Sequence, residues 1–381
     1  MSDDLRRQSQ VILRRFADRL LDEAPTPAIS SERLTETVLA LVEKAQGLGD
    51  IDSAARLLEH FGPQLQRESH LERLDANYAA VLAHEDLPGE RHVNLAEQRA
   101  RILTRQGRRA EAEDVLAAAW PHAQTHLLAG RLHNRRGYLL WSYDEYEAAQ
   151  AAFQSGLAAA QAAGDLVLVC TIRNNLGELY YTRDQFEQAV TAFTEAIAVA
   201  VQLDHPWLRG LTEGGLAMTL DDLAQHEAAV AHHQAARRHY QLANDPSGLL
   251  RADLNQSFNA YARGDYPLAK ELATRALVQA RASGDLDRLA MAHQHLGEAH
   301  LGLCDYELAY EHFHQALEGR LQMGKLLYVA TTCRTLRQLA AAVENDPTLA
   351  ETTRLELLRK CRESLTAAQE QMEPPPDSTA S

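Results

Sequence analysis

No two of the four cysteines (Cys170, Cys304, Cys333, Cys361) stand close enough to form a C-x-x-C motif. That excludes the thiol spacings of zinc ribbons and dithiol redox sites, and it fits free thiols in a reducing compartment. No run of about 18 apolar residues occurs, so no membrane span is expected. The start, MSDDLRRQSQVILRRF, places acidic residues before its first arginines and lacks a long apolar stretch, unlike a secretory signal. Excess basic charge is absent as well. The 381 residues carry a formal net charge of −15, which argues against direct binding of nucleic acid. These absences predict a cytoplasmic protein. G-x-S-x-G, P-loop and glycine-rich phosphate motifs are missing. Glu178, Asp221, Asp222 and Glu298 could supply an acid–base pair. With 53 acidic residues such pairs arise everywhere, and no nucleophile–base set converges on them, so no catalytic residue is assigned.

Histidine, by contrast, is plentiful, with 17 residues grouped at His226, His232, His233, His239 and at His293, His295, His300, His312, His314. A helical metal site needs its ligands at i, i+3 or i+4. His293/His295 and His312/His314 are two apart and diverge on a helix. His226 and His233 fall in packing columns described below. No metal and no cofactor is expected.

What the sequence has most clearly is a repeat. Cut at residues 126, 166, 206, 246 and 286, it gives five blocks of 40 that align without a gap. One small-residue column reads Gly137, Gly177, Ala217, Ser257, Gly297. A second reads Ala149, Ala189, Ala229, Ala269, Ala309, and a third Gly156, Ala196, Ala236, Ala276, Ala316. A column of large residues reads Tyr146, Phe186, His226, Tyr266, Tyr306. Each block shows helix-period apolar spacing over two segments, in the second block about Val167–Tyr181 and Gln185–Leu203. Stops recur at Gly164–Asp165, Asn244–Asp245 and Gly284–Asp285: a helix-ending Gly or Asn, then an Asp that caps the next helix. A hairpin of this kind cannot bury its apolar face alone, so its neighbours must stack.

The order small–aromatic–Ala–aromatic–Ala resembles the tetratricopeptide repeat (TPR). Leu176, Gly177, Tyr180, Ala189, Phe193 and Ala196 match that pattern column by column. The period resembles the 40-residue subtype of Pins-type polarity adaptors, kinesin light chains and bacterial peptide-sensing regulators. The late proline of the family is missing. The resemblance implies an all-α, right-handed superhelical solenoid of antiparallel helix pairs. It covers 126–325 as five repeats and weakens upstream. Over 31–125 the helices are degenerate, with Arg108–Ala123 and Gly49–Phe61 fitting second helices and 62–91 holding an irregular extra one. Residues 1–30 supply an N-terminal capping helix, about Asp4–Asp22, with Leu5, Ile12, Phe16 and Leu20 on one side. Residues 326–371 supply C-terminal capping helices. Residues 372–381, polar and proline-rich, are expected to be a disordered tail.

In such solenoids the first helix of each pair lines the groove. Helical geometry puts six positions opposite the packed columns. They hold Arg131, Asn134, Arg135, Tyr138 and Trp141 in the first block, and Thr171, Asn174, Asn175, Glu178 and Tyr181 in the second. The third holds Leu211, Gly214, Gly215, Met218 and Asp221. The fourth holds Arg251, Asn255, Phe258 and Tyr261, and the fifth Met291, Gln294, His295 and Glu298. Gly214–Gly215 reads equally as close helix packing or as room for a ligand backbone. A merely solvated face would be mostly Glu, Lys and Gln. This one carries amides, which bond a peptide backbone in both directions, and the aromatics and arginines favoured in binding hot spots. In Pins-type repeats an Asn before Leu-Gly contacts the bound peptide. Asn175 matches that motif, Asn255 matches the position with Gln256 and Ser257 in place of Leu-Gly, and His295 takes the slot in the fifth block.

The resulting expectation is a non-enzymatic interaction scaffold binding a peptide segment of a partner protein. Arg131, Arg135 and Arg251 would accommodate acidic groups on that segment. Two other readings stay open: a peptide- or protein-responsive regulatory sensor, and a structural subunit that self-associates into a homo-oligomer through its terminal hairpins.

Overall fold

The computed structural model describes residues 3–22, 31–63, 65, 70–323 and 326–372. The expected tail, apart from Met372, lies outside the described residues. Among these, the chain forms α-helices and no strand. It divides into two compact units, Met1–Gln185 and Phe186–Ser381. The division falls inside the second block.

The first unit holds α1 (Asp3–Asp22), α2 (Ser31–Leu48), α3 (Ile51–Phe61), α4 (Leu71–Leu82), α5 (Gly89–Arg105), α6 (Arg109–Ala119), α7 (His126–Trp141), α8 (Tyr146–Ala163) and α9 (Leu166–Thr182). The second holds α10 (Phe186–Gln202), α11 (Pro206–Asp222), α12 (His226–Leu242), α13 (Pro246–Ala262), α14 (Tyr266–Ser283), α15 (Leu286–Gly302), α16 (Tyr306–Gln322), α17 (Leu326–Asn345) and α18 (Glu351–Met372). From α7 to α16 every helix starts 20 residues after the previous one. Within each unit, successive helices pack as antiparallel pairs. First helices also lie side by side, α5 on α7 and α7 on α9 in one unit, α11 on α13 and α13 on α15 in the other.

The turns explain the period. Each of the nine turns between α7 and α16 contains one left-handed residue: Asp144, Gly164, Asp184, Asp204, Ala224, Asn244, Gly264, Gly284 and Cys304, with φ between 47° and 79°. That conformation ends a helix and is cheap only for Gly or, less so, Asn and Asp. Side chains then cap the following helix. Asp165 accepts from the Leu168 amide at 2.7 Å, Asp245 from Ser247 at 3.0 Å and Asp285 from Arg288 at 3.1 Å. Ala224 has neither advantage: it is exposed and left-handed at φ 57°. Ala224→Gly is expected to stabilise the chain by about 0.5–1 kcal/mol. A denaturant midpoint that falls instead would show that the turn is not strained.

Between the helices of a pair, glycine meets ring. A Cβ on Gly137 would lie 2.7 Å from the Phe153 ring, and one on Gly297 2.5 Å from Phe313. Both phenylalanines are fully buried. The fourth block changes both members of the pair. Ser257 stands at the glycine position and Ala273 at the ring position, and the Ser257 hydroxyl donates to the Ala269 carbonyl at 2.9 Å. A side chain at the glycine position is thus accommodated by a much smaller residue at the ring position.

Two expectations need correction. In α1 the buried residues are Leu13 and Ala17, whereas Ile12 is 69% exposed and Phe16 50%. The side chain of Leu5 lies outside the described residues. The apolar sector of α1 is wide enough to allow either stripe. Polar partners fix the rotation: Arg14 pairs with Asp50 at 2.9 Å, and Arg56 with Asp18 at 2.7 Å. Second, α3 packs on α1 and on α5, so it stands in the row of first helices. Gly49–Phe61 therefore does not act as a second helix. The cause is α4, which takes a full place in the alternation rather than being an extra.

α17 and α18 close a core with α16 through Phe313, Val329, Cys333, Leu336, Leu357 and Cys361. Burial pushes the Cys361 thiol up to about 11 and raises that of Cys333, so both stay protonated and inert.

Candidate functional site

On the first-helix face of the first unit, α5, α7 and α9 bring amides, arginines and aromatics together. The Asn175 amide on α9 donates to the Asn134 side-chain carbonyl on α7 at 2.8 Å. The Arg135 guanidinium lies 5.7 Å from the centre of the Tyr138 ring, which meets Trp141 edge to face at 5.8 Å. Tyr138 is 40% exposed. Arg131 forms an ion pair with Glu97 of α5 at 2.6 Å. Glu178 and Tyr181 are half-buried on α9. Thr171 spends its hydroxyl on the Val167 carbonyl of its own helix, at 2.8 Å. Asn174 does not share the accessible face: it is buried to 3% exposure, and its side-chain oxygen has no hydrogen-bond partner. Its position lies at the edge of the stripe, where neighbouring helices cover it.

The second unit repeats part of this arrangement. Asn255 on α13 donates to the Met218 sulfur on α11 at 3.1 Å. His295 on α15 faces Phe258 on α13, with ring centres 6.0 Å apart. Asn175, Asn255 and His295, which share one column, thus each reach back to the preceding first helix. Phe258 is 56% exposed. Gly215 is explained by packing, since a Cβ there would lie 2.4 Å from the Phe193 ring. Gly214 leaves room, its nearest neighbour being the Ala236 methyl at 3.9 Å. Arg251 is engaged away from the stripe: it lies over the Tyr240 ring and donates to its hydroxyl.

Gln294 is buried in a network. It donates to Glu298 at 2.8 Å and to Thr335 at 3.1 Å, and it accepts from Arg320 at 3.1 Å. Burial raises the Glu298 carboxyl above its ordinary range, against the pull of Gln294 and Arg320. Burial, then the nearby Arg320, lower His295 to about 4, so its imidazole is neutral at pH 7. Burial, then Glu298, raise the Tyr261 hydroxyl.

The histidines of α15 and α16 meet across their hairpin. His293 and His312 approach at 3.0 Å between their Nδ1 atoms, and His300 stacks on His312. On α12, His233 is buried and bonds Asp221 at 2.9 Å. Among the described residues, no group of three or more His, Cys, Asp or Glu side chains could hold a metal. Burial, then His293 and His300, lower His312 to about 4. Since its folded value lies below the ordinary 6.5, the unfolded chain takes up a proton first as pH falls. The stability this neutral ring contributes is therefore present above pH 6.5 and lost as pH falls toward 4. His312→Phe is expected to shrink the loss between pH 7.5 and pH 5 by roughly 1–2 kcal/mol. Thermal melts at the two pH values check this, and an unchanged difference would exclude His312 as its source.

The sequence matches no protein-family model and no curated protein sequence. Several solved structures share its fold. A signal transduction ATPase with numerous domains from Pyrococcus horikoshii, which carries a tetratricopeptide repeat sensor, aligns with 94% of this chain and 52% of its own, at 13% identity and a TM-score of 0.62. Aspartyl phosphate phosphatase F from Bacillus subtilis aligns over 93% and 97%, at 15% identity and a TM-score of 0.56. The Rap conjugation gene regulator of plasmid pLS20, in complex with a Phr peptide, aligns over 93% and 100%, at 12% identity and a TM-score of 0.55. This is the tetratricopeptide-repeat fold.

Within the repeat fold, the sequence pattern passes over groups that come from a second helix or from outside the gapless blocks. Arg320 and Thr335 enter the Gln294 network from α16 and α17. Glu97 and Arg101 sit on α5. A signal for the latter pair exists. Ala112 and Ala119 match Ala149 and Gly156 at a shift of 37, not 40, residues. Carried one helix upstream, that shift sets Glu97 level with Asn134 and Arg101 level with Tyr138.

Proposed function

We propose that this chain is a non-enzymatic, cytoplasmic interaction module that holds an extended peptide segment of a partner protein along its first-helix faces. The observation that carries the reading is the Asn175–Asn134 pair. Their bond uses one donor of Asn175 and one lone pair of Asn134. The Asn134 amide hydrogens and the Asn175 carbonyl are left over, a donor and an acceptor matched to a peptide C=O and N–H. Tyr138 and Trp141 lie beside them as rigid apolar contacts. A similar structure is that of a regulator in complex with a peptide, which supports the choice of ligand. Ordering a flexible segment on a preformed surface is a recurrent mode of recognition.

A second reading treats the peptide as a signal. It is favoured because two similar structures are those of a sensor-bearing protein and a gene regulator. Binding would then alter how the chain engages another protein. Self-association is the competing reading. A concentration-independent monomer by light scattering is the expected result, and a dimer that dissociates on dilution would favour assembly instead.

The binding test is an array of random decapeptides probed with the full chain. Asn175→Ala combined with Tyr138→Ala should weaken the best binders at least about tenfold. Helicity should stay unchanged. Equal binding by the double variant would place recognition elsewhere.

A further inference from the structure

We infer that the hairpin of α15 and α16 is an acid-operated latch. It stays closed while His293 and His312 hold at most one extra proton between them, and it opens when both rings are charged. The inference does not depend on peptide binding. His312 of α16 meets two histidines of α15. Its Nδ1 is 3.0 Å from Nδ1 of His293, and its ring stacks on that of His300 with centres 5.6 Å apart. His293 and His300 are buried. A contact between two ring nitrogens needs one donor and one acceptor. Two neutral rings supply both, and so does one neutral ring with one imidazolium. Two imidazoliums do not: both nitrogens then carry hydrogen, and the rings repel as like charges inside the hairpin.

The neighbours give little relief. Arg281 of α14 adds a positive charge that acts on both rings. Asp305 of the turn pairs with His300 at 3.1 Å and is spent beside the contact, not on it. Among the described residues, no charged group of α13, α17 or α18 acts on either ring. Burial, then Arg281, lowers His293. Burial, then His293 and His300, lowers His312 to about 4. Both lie below the ordinary 6.5. The closed hairpin is therefore favoured above that value and gives way as pH falls toward 4.

The third block shows what the same two positions do with an acid in one of them. Glu213 of α11 and His232 of α12 stand two blocks before His293 and His312, and they bond each other. A proton on His232 sets a cation against an anion and tightens that hairpin. One pair of positions thus answers acid in opposite ways, by attraction in α11–α12 and by repulsion in α15–α16. Opening of α15–α16 would break the bond from Arg320 of α16 to Gln294 of α15 and uncover the buried Phe313.

Amide hydrogen exchange of the full chain at about pH 7.5 and pH 5, corrected for the intrinsic pH dependence of exchange, reads the opening of each helix. In the wild type, opening of α15 and α16 is expected to rise at least about tenfold at the lower pH, and that of α11 and α12 less than about threefold. His293→Glu, which installs the pair of the third block, should abolish the rise. His312→Leu should do the same, with the residue that the fourth block carries there, Leu272. Glu213→His should transfer the acid sensitivity to α11 and α12. Equal opening of the wild-type hairpin at both pH values overturns the latch. So does a rise shared by all helices of the second unit, or one that persists in His293→Glu and His312→Leu. Should one variant fail to fold at neutral pH, the other variant and the wild-type contrast between the two hairpins decide.

Discussion

Phe313→Ala is expected to cost about 3–5 kcal/mol, and Gly297→Ser about 1–3 kcal/mol, yet the two together should cost less than their sum by at least about 1 kcal/mol. Phe313 is fully buried, and its ring occupies the space that a Cβ on Gly297 would need. Removing the ring alone leaves a cavity. Adding a side chain at 297 alone forces the ring out of a packed site. Making both changes reproduces the Ser257/Ala273 combination that the fourth block already uses. Denaturant unfolding of the four proteins gives the coupling directly. Strict additivity would mean that the two positions do not share one space, and the steric coupling of the glycine and ring positions would fail.

A second large effect is expected at Asp253. Its side chain is fully buried on α13. Arg237 of α12 approaches it at 3.2 Å and Arg275 of α14 at 2.8 Å, while Gln279 donates to it at 3.3 Å. One carboxylate thus ties three consecutive helices. Asp253→Ala should destabilise by about 3 kcal/mol, since it leaves the Arg237 guanidinium and the Gln279 amide without their acceptor and leaves Arg275 only Glu271, at 3.0 Å. Arg237→Ala or Arg275→Ala should each cost about 1 kcal/mol, because the other guanidinium still faces the carboxylate. Both arginines are about one-third exposed, which lets them turn toward water and limits the damage. If the three substitutions cost the same, Asp253 is not the hub.

How much of this was legible beforehand follows from the kind of information a repeat carries. Helix starts at 126, 146, 166 and onward were readable because the same physical need recurs every 20 residues. The Asp caps at 165, 245 and 285 and the left-handed Gly and Asn before them are local chemistry. The rotation of α1 was not readable, because two apolar stripes were equally good and distant acids, Asp18 and Asp50, break the tie. The face of the first helices was also only partly readable. Periodicity places Asn134, Asn175, Tyr138 and Trp141 on one side. It does not reveal that Asn174 is covered, that Arg251 turns to Tyr240, or that Gln294 is spent on Arg320 and Thr335. Those outcomes depend on side chains from other helices. Arg101 was hidden for a simpler reason: the repeat upstream is three residues shorter, and a rigid period of 40 passes over it.

The central claim is that the first-helix face of α7 and α9 holds a peptide through the Asn134–Asn175 pair. The most direct measurement is amide hydrogen exchange of the full chain with and without a binder selected from the decapeptide array. The account predicts slowed exchange confined to α5, α7 and α9, together with loss of that protection in Asn175→Ala. Protection confined to the second helices, such as α8, α12 and α14, would contradict it.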